Sequence, residues 1–132
     1  MEELFTSLEE LLKEHFESVR LTMVQNVEQF AQEVKAVNVN KLPAVLVIFD
    51  THLFQSFEGI EETQLTVVLI DSFASGSREK VLSMLEKMGV LLSLFPADGR
   101  KIASYHCYPT DVVTATPDPR FAALALGISC KK

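Results

Sequence analysis

The sequence predicts an α+β domain: a mixed or largely antiparallel sheet packed against one long helix, with one or two further helices at the N-terminal end. Three observations carry this expectation. Residues 43–49 and 64–70 form short apolar runs of strand length. Val81, Leu85, Met88, Leu92 and Phe95 recur at spacings of four, three, four and three, the period of one helix face. Residues 121–130 alternate large Leu124, Leu126, Ile128 and Cys130 with small Ala123, Ala125, Gly127 and Ser129, the period of a strand.

Each element follows in order. Leu4, Leu8, Leu11 and Leu12 share one face of an opening helix whose other positions hold Glu2, Glu9, Glu10 and Lys13, and this helix is expected to end near Phe16. Residues 19–24 alternate Arg20 and Thr22 with Leu21 and Met23, as a half-exposed strand does, although they could also continue the helix. Asn26 and Gln29 have the spacing of a capping box for a second short helix with Phe30, Ala31 and Val34 on its apolar side. Pro43 then opens the clearest strand, since a missing amide does least harm at a strand's first position. Residues 64–70 are its expected neighbour, and the 14 positions between, 50–63, form an unusually apolar connection.

After the Ser/Gly break at 73–77, the principal helix is expected from Ser77 to Phe95, ended by Pro96. Gly89 within it costs roughly 1 kcal/mol relative to alanine and suggests close packing on the sheet. Asp98-Gly99 is a turn, residues 102–113 a strand bulged at Pro109, and residues 114–120, with Pro117 and Pro119, a rigid surface turn. In the last strand the large face belongs to the core. The small face admits a close neighbour, either the principal helix, another subunit or solvent.

With 132 residues, 48% of them hydrophobic, the chain is expected to form one domain over residues 1–132. Its apolar runs are far shorter than the ~20 residues that cross a bilayer, so no membrane partner is expected. The first residues carry Glu2, Glu3, Glu9 and Glu10 where an export leader would be basic and then apolar, which points to a cytoplasm. A net charge of −6 speaks against general nucleic-acid affinity. That charge is uneven: residues 1–66 hold 12 acidic and 4 basic groups, and residues 67–132 hold 6 and 8. Opposite-signed surfaces favour head-to-tail association, while a solvated acidic helix accounts for the same count.

No catalytic motif is visible, whether GxSxG, P-loop, GxGxxG or HExxH, and no catalytic residue, cofactor or metal ligand is assigned. His15, His52 and His106 are far apart. Cys107 and Cys130 lack CxxC spacing and read as reduced, buried strand thiols. Within Tyr105-His106-Cys107-Tyr108, neighbours on a strand face opposite ways, which makes His106 and Cys107 a poor nucleophilic pair. Ser72, Ser75, Gly76 and Ser77 read as an ordinary helix entry rather than an anion site.

The order of these elements is similar to that of the Mu-like phage and prophage minor tail proteins, and more broadly to the tail-terminator fold of long-tailed phages. The residues that carry the resemblance are the N-terminal helix, the proline-led strand at 42–49, the strand at 64–70, the long helix at 77–95, the strands around 105–116 and the terminal strand at 121–129. The acidic first helix and the apolar 50–63 segment depart from the better-known terminators. The resemblance implies a helix or two over a mixed or antiparallel sheet, assembly into a ring, commonly hexameric, at the head-proximal end of the tail tube, and no catalytic residues. Its implied partners are copies of itself and other tail or head–tail joining proteins, with location in the bacterial host cytoplasm during assembly and then in the virion tail.

A ring needs a heterologous interface, in which one patch meets a different patch on the next subunit. Leu53, Phe54, Phe57 and Ile60 are the candidate subunit interface, although they could instead fold back over the sheet edge. Two other classes compete with this reading. One is a cytosolic dimeric regulatory or scaffold module that binds a protein partner. The other is an enzyme or small-ligand domain, which would require a deep polar pocket around His106 or Cys107.

Overall fold

The computed structural model describes residues 2–23, 28–29, 32–33, 36, 43–49, 55–57, 60–72, 78–118 and 121–132. Its elements are α1 (Glu2–Lys13), β1 (Ser18–Met23), β2 (Ala44–Phe49), β3 (Gln55–Phe57), β4 (Ile60–Ser72), α2 (Arg78–Ser93), β5 (Arg100–Ile102), β6 (Tyr105–Asp118) and β7 (Phe121–Lys131). Six strands run in the order β1-β2-β4-β7-β6-β5 as a curved half-barrel, and β3 pairs with β4 off this path. Only β1 and β2 are parallel. Every other pairing is antiparallel, so the sheet is mixed.

Residue parity along the strands sorts the sheet into two faces. Val45 and Val47 of β2, Leu65, Val67 and Leu69 of β4, and Leu124, Leu126 and Ile128 of β7 belong to one core cluster. Leu46, Ile48, Val68, Ile70 and Ala123 belong to a second, smaller cluster. The two clusters are the opposite faces of one pleat, because successive strand residues point to opposite sides. Residues 44–48 of β2 and 67–70 of β4 are buried on both faces, which is why these stretches are continuously apolar rather than alternating.

The larger face is covered chiefly by α1. Leu4, Leu8 and Leu12, at i, i+4 and i+8, are essentially fully buried in that cluster. On the outer side of this helix Lys13 pairs with Glu9 one turn earlier at 2.6 Å. The helix ends in a turn in which the Phe16 amide donates to the Leu12 carbonyl at 2.8 Å, and this carries the Phe16 ring into the core.

The expectation that the sheet packs against the long helix is overturned. Along α2 the inward positions are Met84, Lys87 and Leu91, followed beyond the helix end by Leu94 and Phe95. The periodic stripe Val81, Leu85, Met88 and Leu92 lies roughly a quarter turn away from them. Its members Val81, Leu85 and Leu92 are exposed, as is Leu82, and of the predicted core face only Phe95 is buried, with Met88 partly so. The side turned inward is the one that buries Met84, Leu91, Leu94 and Phe95, and on it Lys87 Nζ pairs with Asp71 Oδ2 at 3.2 Å, joining the middle of α2 to the end of β4. A lysine on the inward side hid that side from a reading based on hydrophobicity alone.

Gly89 is corrected with it, since it is exposed and a Cβ there would have nothing within 4 Å. Gly89→Ala is therefore expected to raise stability by about 1 kcal/mol, measured as a higher denaturation midpoint with an unchanged slope.

Three further differences concern boundaries. Residues 50–63 do not form a plain loop, because β3 and the start of β4 make a hairpin there with Phe57 opposite Ile60. Residues 100–118 form a hairpin rather than one strand: β5 turns back through Ala103 and Ser104 into β6, with Ala103 at φ 53°. Residues 114–118, expected in a surface turn, extend β6. The expected bulge at Pro109 is present as a register shift between Pro109 and Asp111, and a second lies between Ala115 and Asp118. The second helix expected at 26–34 falls largely outside the described residues, of which 28, 29, 32 and 33 are helical.

The small-residue face of β7 also differs from expectation. It lies opposite α2, across the sheet, so no helix contact explains Gly127. What approaches is the β6 bulge: a Cβ on Gly127 would fall 2.6 Å from Thr110 Oγ1 and collide with Asp111.

Candidate functional site

Of the four candidate interface residues, Leu53 and Phe54 lie outside the described residues. Phe57 and Ile60 face each other across the β3–β4 hairpin, a backbone placement that says nothing of their side chains. A different apolar surface is evident. Val81, Leu82, Leu85 and Leu92 of α2 are exposed, with Leu82 at 51% and Leu85 at 57%. Val112 and Val113, beyond the β6 bulge, are similarly exposed. Val112 pairs with Leu126 and so lies on the sheet face that α2 flanks.

This part of β6 is also an edge. Strand β5 pairs only with Tyr105, His106 and Cys107, so among the described strands none pairs with the outer side of β6 from Pro109 onward. Strand β1 is the edge at the other end of the sheet, with Leu21 exposed and Arg20 paired to Glu33 at 2.7 Å. Unpaired edges present free backbone donors and acceptors to an incoming strand.

Glu3, Glu10, Glu14 and Glu17 are exposed on and just after α1, on the side of the larger core. Lys101, His106 and Lys131 stand in one cross-strand row of β5, β6 and β7, which Glu62 of β4 continues. All three are exposed and point to the opposite face from buried Tyr105 and Cys107. Lys131 Nζ lies 5.6 Å from the centre of the Tyr108 ring.

The turn before this row is built on Gly99. Its amide donates to the Pro96 carbonyl at 2.9 Å, its φ is 94°, and the His106 ring packs directly on its Cα. His106 Nε2 is 3.2 Å from the Asp98 carbonyl. A side chain at 99 meets both the wrong φ and the imidazole. Gly99→Ala is expected to cost about 1–3 kcal/mol in chemical denaturation and to displace the His106 ring signals in NMR.

The polar recesses are modest. A cleft of about 200 Å³ beside the β6 bulge is lined by Gln64, Thr66, Thr110, Asp111 and Gly127 among others. This is below the ~300–1,000 Å³ usual for small-molecule sites. An open acidic groove of about 410 Å³ runs between α1 and the β5–β6 turn, past Glu3, Glu10 and Ala103. Among the described residues no three His, Cys, Asp or Glu side chains converge as a metal site would require, and His15 and His106 are both exposed. His52 lies outside the described residues.

Cys107 and Cys130 are free, buried strand thiols as the sequence suggests, but sequence reasoning missed that, 23 positions apart, they are directly opposite each other on β6 and β7. Locating the hairpin register would have exposed it; counting cysteine spacing could not. The Cys130 thiol donates to Cys107 Sγ, which holds the Cys107 pKa below the usual thiol value although burial opposes this. The same hydrogen bond, with burial and the Cys107 charge, pushes Cys130 far above it.

Among the described residues no helix is long and apolar enough to cross a membrane. No protein-family model matches the chain, and no curated protein matches it either.

Proposed function

We propose that this protein is a structural subunit that works by self-association, and that its assembly is a ring of the tail-terminator or tail-completion type at the head-proximal end of a phage or prophage tail tube. The reading assigns it no catalytic chemistry, cofactor or metal. The observation that carries self-association is the outward apolar stripe Val81, Leu82, Leu85 and Leu92 beside the unpaired β6 edge. A long helix whose most regular apolar face meets solvent is a surface that association would bury.

A second copy is the occupant that charge favours. Acidic α1 and the Lys101–His106–Lys131 row lie on opposite faces of the sheet, so two copies stacked in the same sense bring unlike charges together. Such a contact is heterologous, and heterologous contacts close into rings when the rotation between copies allows. The tail assignment itself rests on the similarity of element order to the tail-terminator fold.

Light scattering and native mass spectrometry across a concentration series, with and without terminator-free tail tubes, test the reading. A ring-sized species or tube-end binding is the expected result. A strict monomer that also ignores tube ends defeats it, and a closed dimer that ignores them favours the regulatory or scaffold module.

A further inference from the structure

We propose that Cys107 and Cys130 are a reversible redox-modification site, closing to a cross-strand disulfide when the protein meets a peroxide. The inference does not depend on the assembly reading. Directly opposed residues of an antiparallel pair have Cα atoms about 4.5–5.5 Å apart, inside the ~4.4–6.8 Å range that a disulfide spans. The register places these two residues opposite each other, and both are buried free thiols. No change of strand pairing is needed to join them.

The surroundings divide the roles. Cys107, on β6 beside the short edge strand β5, is the nucleophile, and Cys130, one strand further in on β7, is the resolving thiol. Access comes from the edge: Cys107 is screened on its outer side by Arg100 of β5, a strand of three residues paired only to β6. Short edge elements open locally at little cost, and a peroxide is small enough to use such an opening.

The steps balance. Cys107 thiolate attacks one peroxide oxygen, the O–O bond breaks, and with one proton the products are the Cys107 sulfenic acid and water. Cys130 sulfur then attacks Cys107 Sγ, the S–O bond breaks, and the departing hydroxide takes the Cys130 proton as a second water. Two thiols and one peroxide become one disulfide and two waters.

The test treats the intact folded protein with hydrogen peroxide, quenches it, alkylates it under denaturing conditions and maps tryptic peptides. Expected is a linked pair, residues 102–120 joined to 121–131, lighter than the sum of its free-thiol peptides by about 2 Da and released by dithiothreitol. In Cys130→Ser the sulfenic acid on Cys107 is expected to persist and to be captured by dimedone. Two alkylatable thiols after treatment of the wild-type protein, over-oxidation of Cys107 without a link, or a link only between molecules overturns the proposal. The wild-type measurement decides it even if the serine variant fails to fold.

Discussion

Replacing Leu8 by alanine is expected to cost about 2–5 kcal/mol of stability, whereas Leu85→Ala, on the longer helix, is expected to change it by less than about 0.5 kcal/mol. Leu8 is 1% exposed in the cluster that joins α1 to Val67, Leu69, Leu124 and Leu126. Its removal leaves a void that a sheet fixed by eleven paired positions between β4 and β7 cannot collapse to fill. Leu85 is more than half exposed. Urea denaturation of both variants checks the pair of values. The reverse order, with Leu85→Ala the more damaging, would mean that α2 rather than α1 holds the sheet.

The second large effect concerns association. Leu82→Asp combined with Leu85→Asp places two charges on the outward stripe of α2, where the free subunit has only solvent. The folded subunit is expected to keep its stability within about 0.5–1 kcal/mol. Self-association is expected to weaken by about 2–4 kcal/mol, roughly 30- to 1,000-fold, since charges taken into an apolar contact go unpaired. Sedimentation velocity across concentration reads this directly. Salt supplies a control on the electrostatic part: raising ionic strength is expected to slow association of the wild-type protein, because the acid-to-base attraction is screened beyond about 10 Å at 0.1 M. An assembly indifferent to both the double substitution and salt would place the contact elsewhere, with Leu53, Phe54, Phe57 and Ile60 the next residues to test.

Much of the strand pattern was legible because strand burial leaves a direct trace in composition. The apolar runs at 44–48 and 67–70 are apolar on both faces because both faces are buried, and β7 alternates because its two faces meet different neighbours. Leu4, Leu8 and Leu12 were legible for the same reason. The β5–β6 hairpin was not, since Ala103 and Ser104 carry none of the Gly or Asn that usually mark a turn with positive φ. The extension of β6 past Val113 was hidden because Pro117 reads as a turn residue, whereas the second register shift, between Ala115 and Asp118, lets a proline sit within the strand.

Local pattern alone thus determined that this protein has an α+β architecture, an acidic N-terminal helix seated by leucines, a doubly buried strand pair and a terminal strand with one large and one small face. Each follows from neighbours three, four or two residues apart, a range over which side-chain direction is set by backbone geometry. Only the tertiary structure decided which way α2 faces, what opposes Gly127, and that Cys107 meets Cys130. Those outcomes depend on contacts between residues distant in the chain: Lys87 reaching Asp71, a bulge placing Thr110 and Asp111 over β7, and a register fixed along the whole β6–β7 ladder. A lysine can sit on the sheet side of a helix at little cost when its charge is paired and its stem stays partly exposed. No periodicity in the sequence records that pairing.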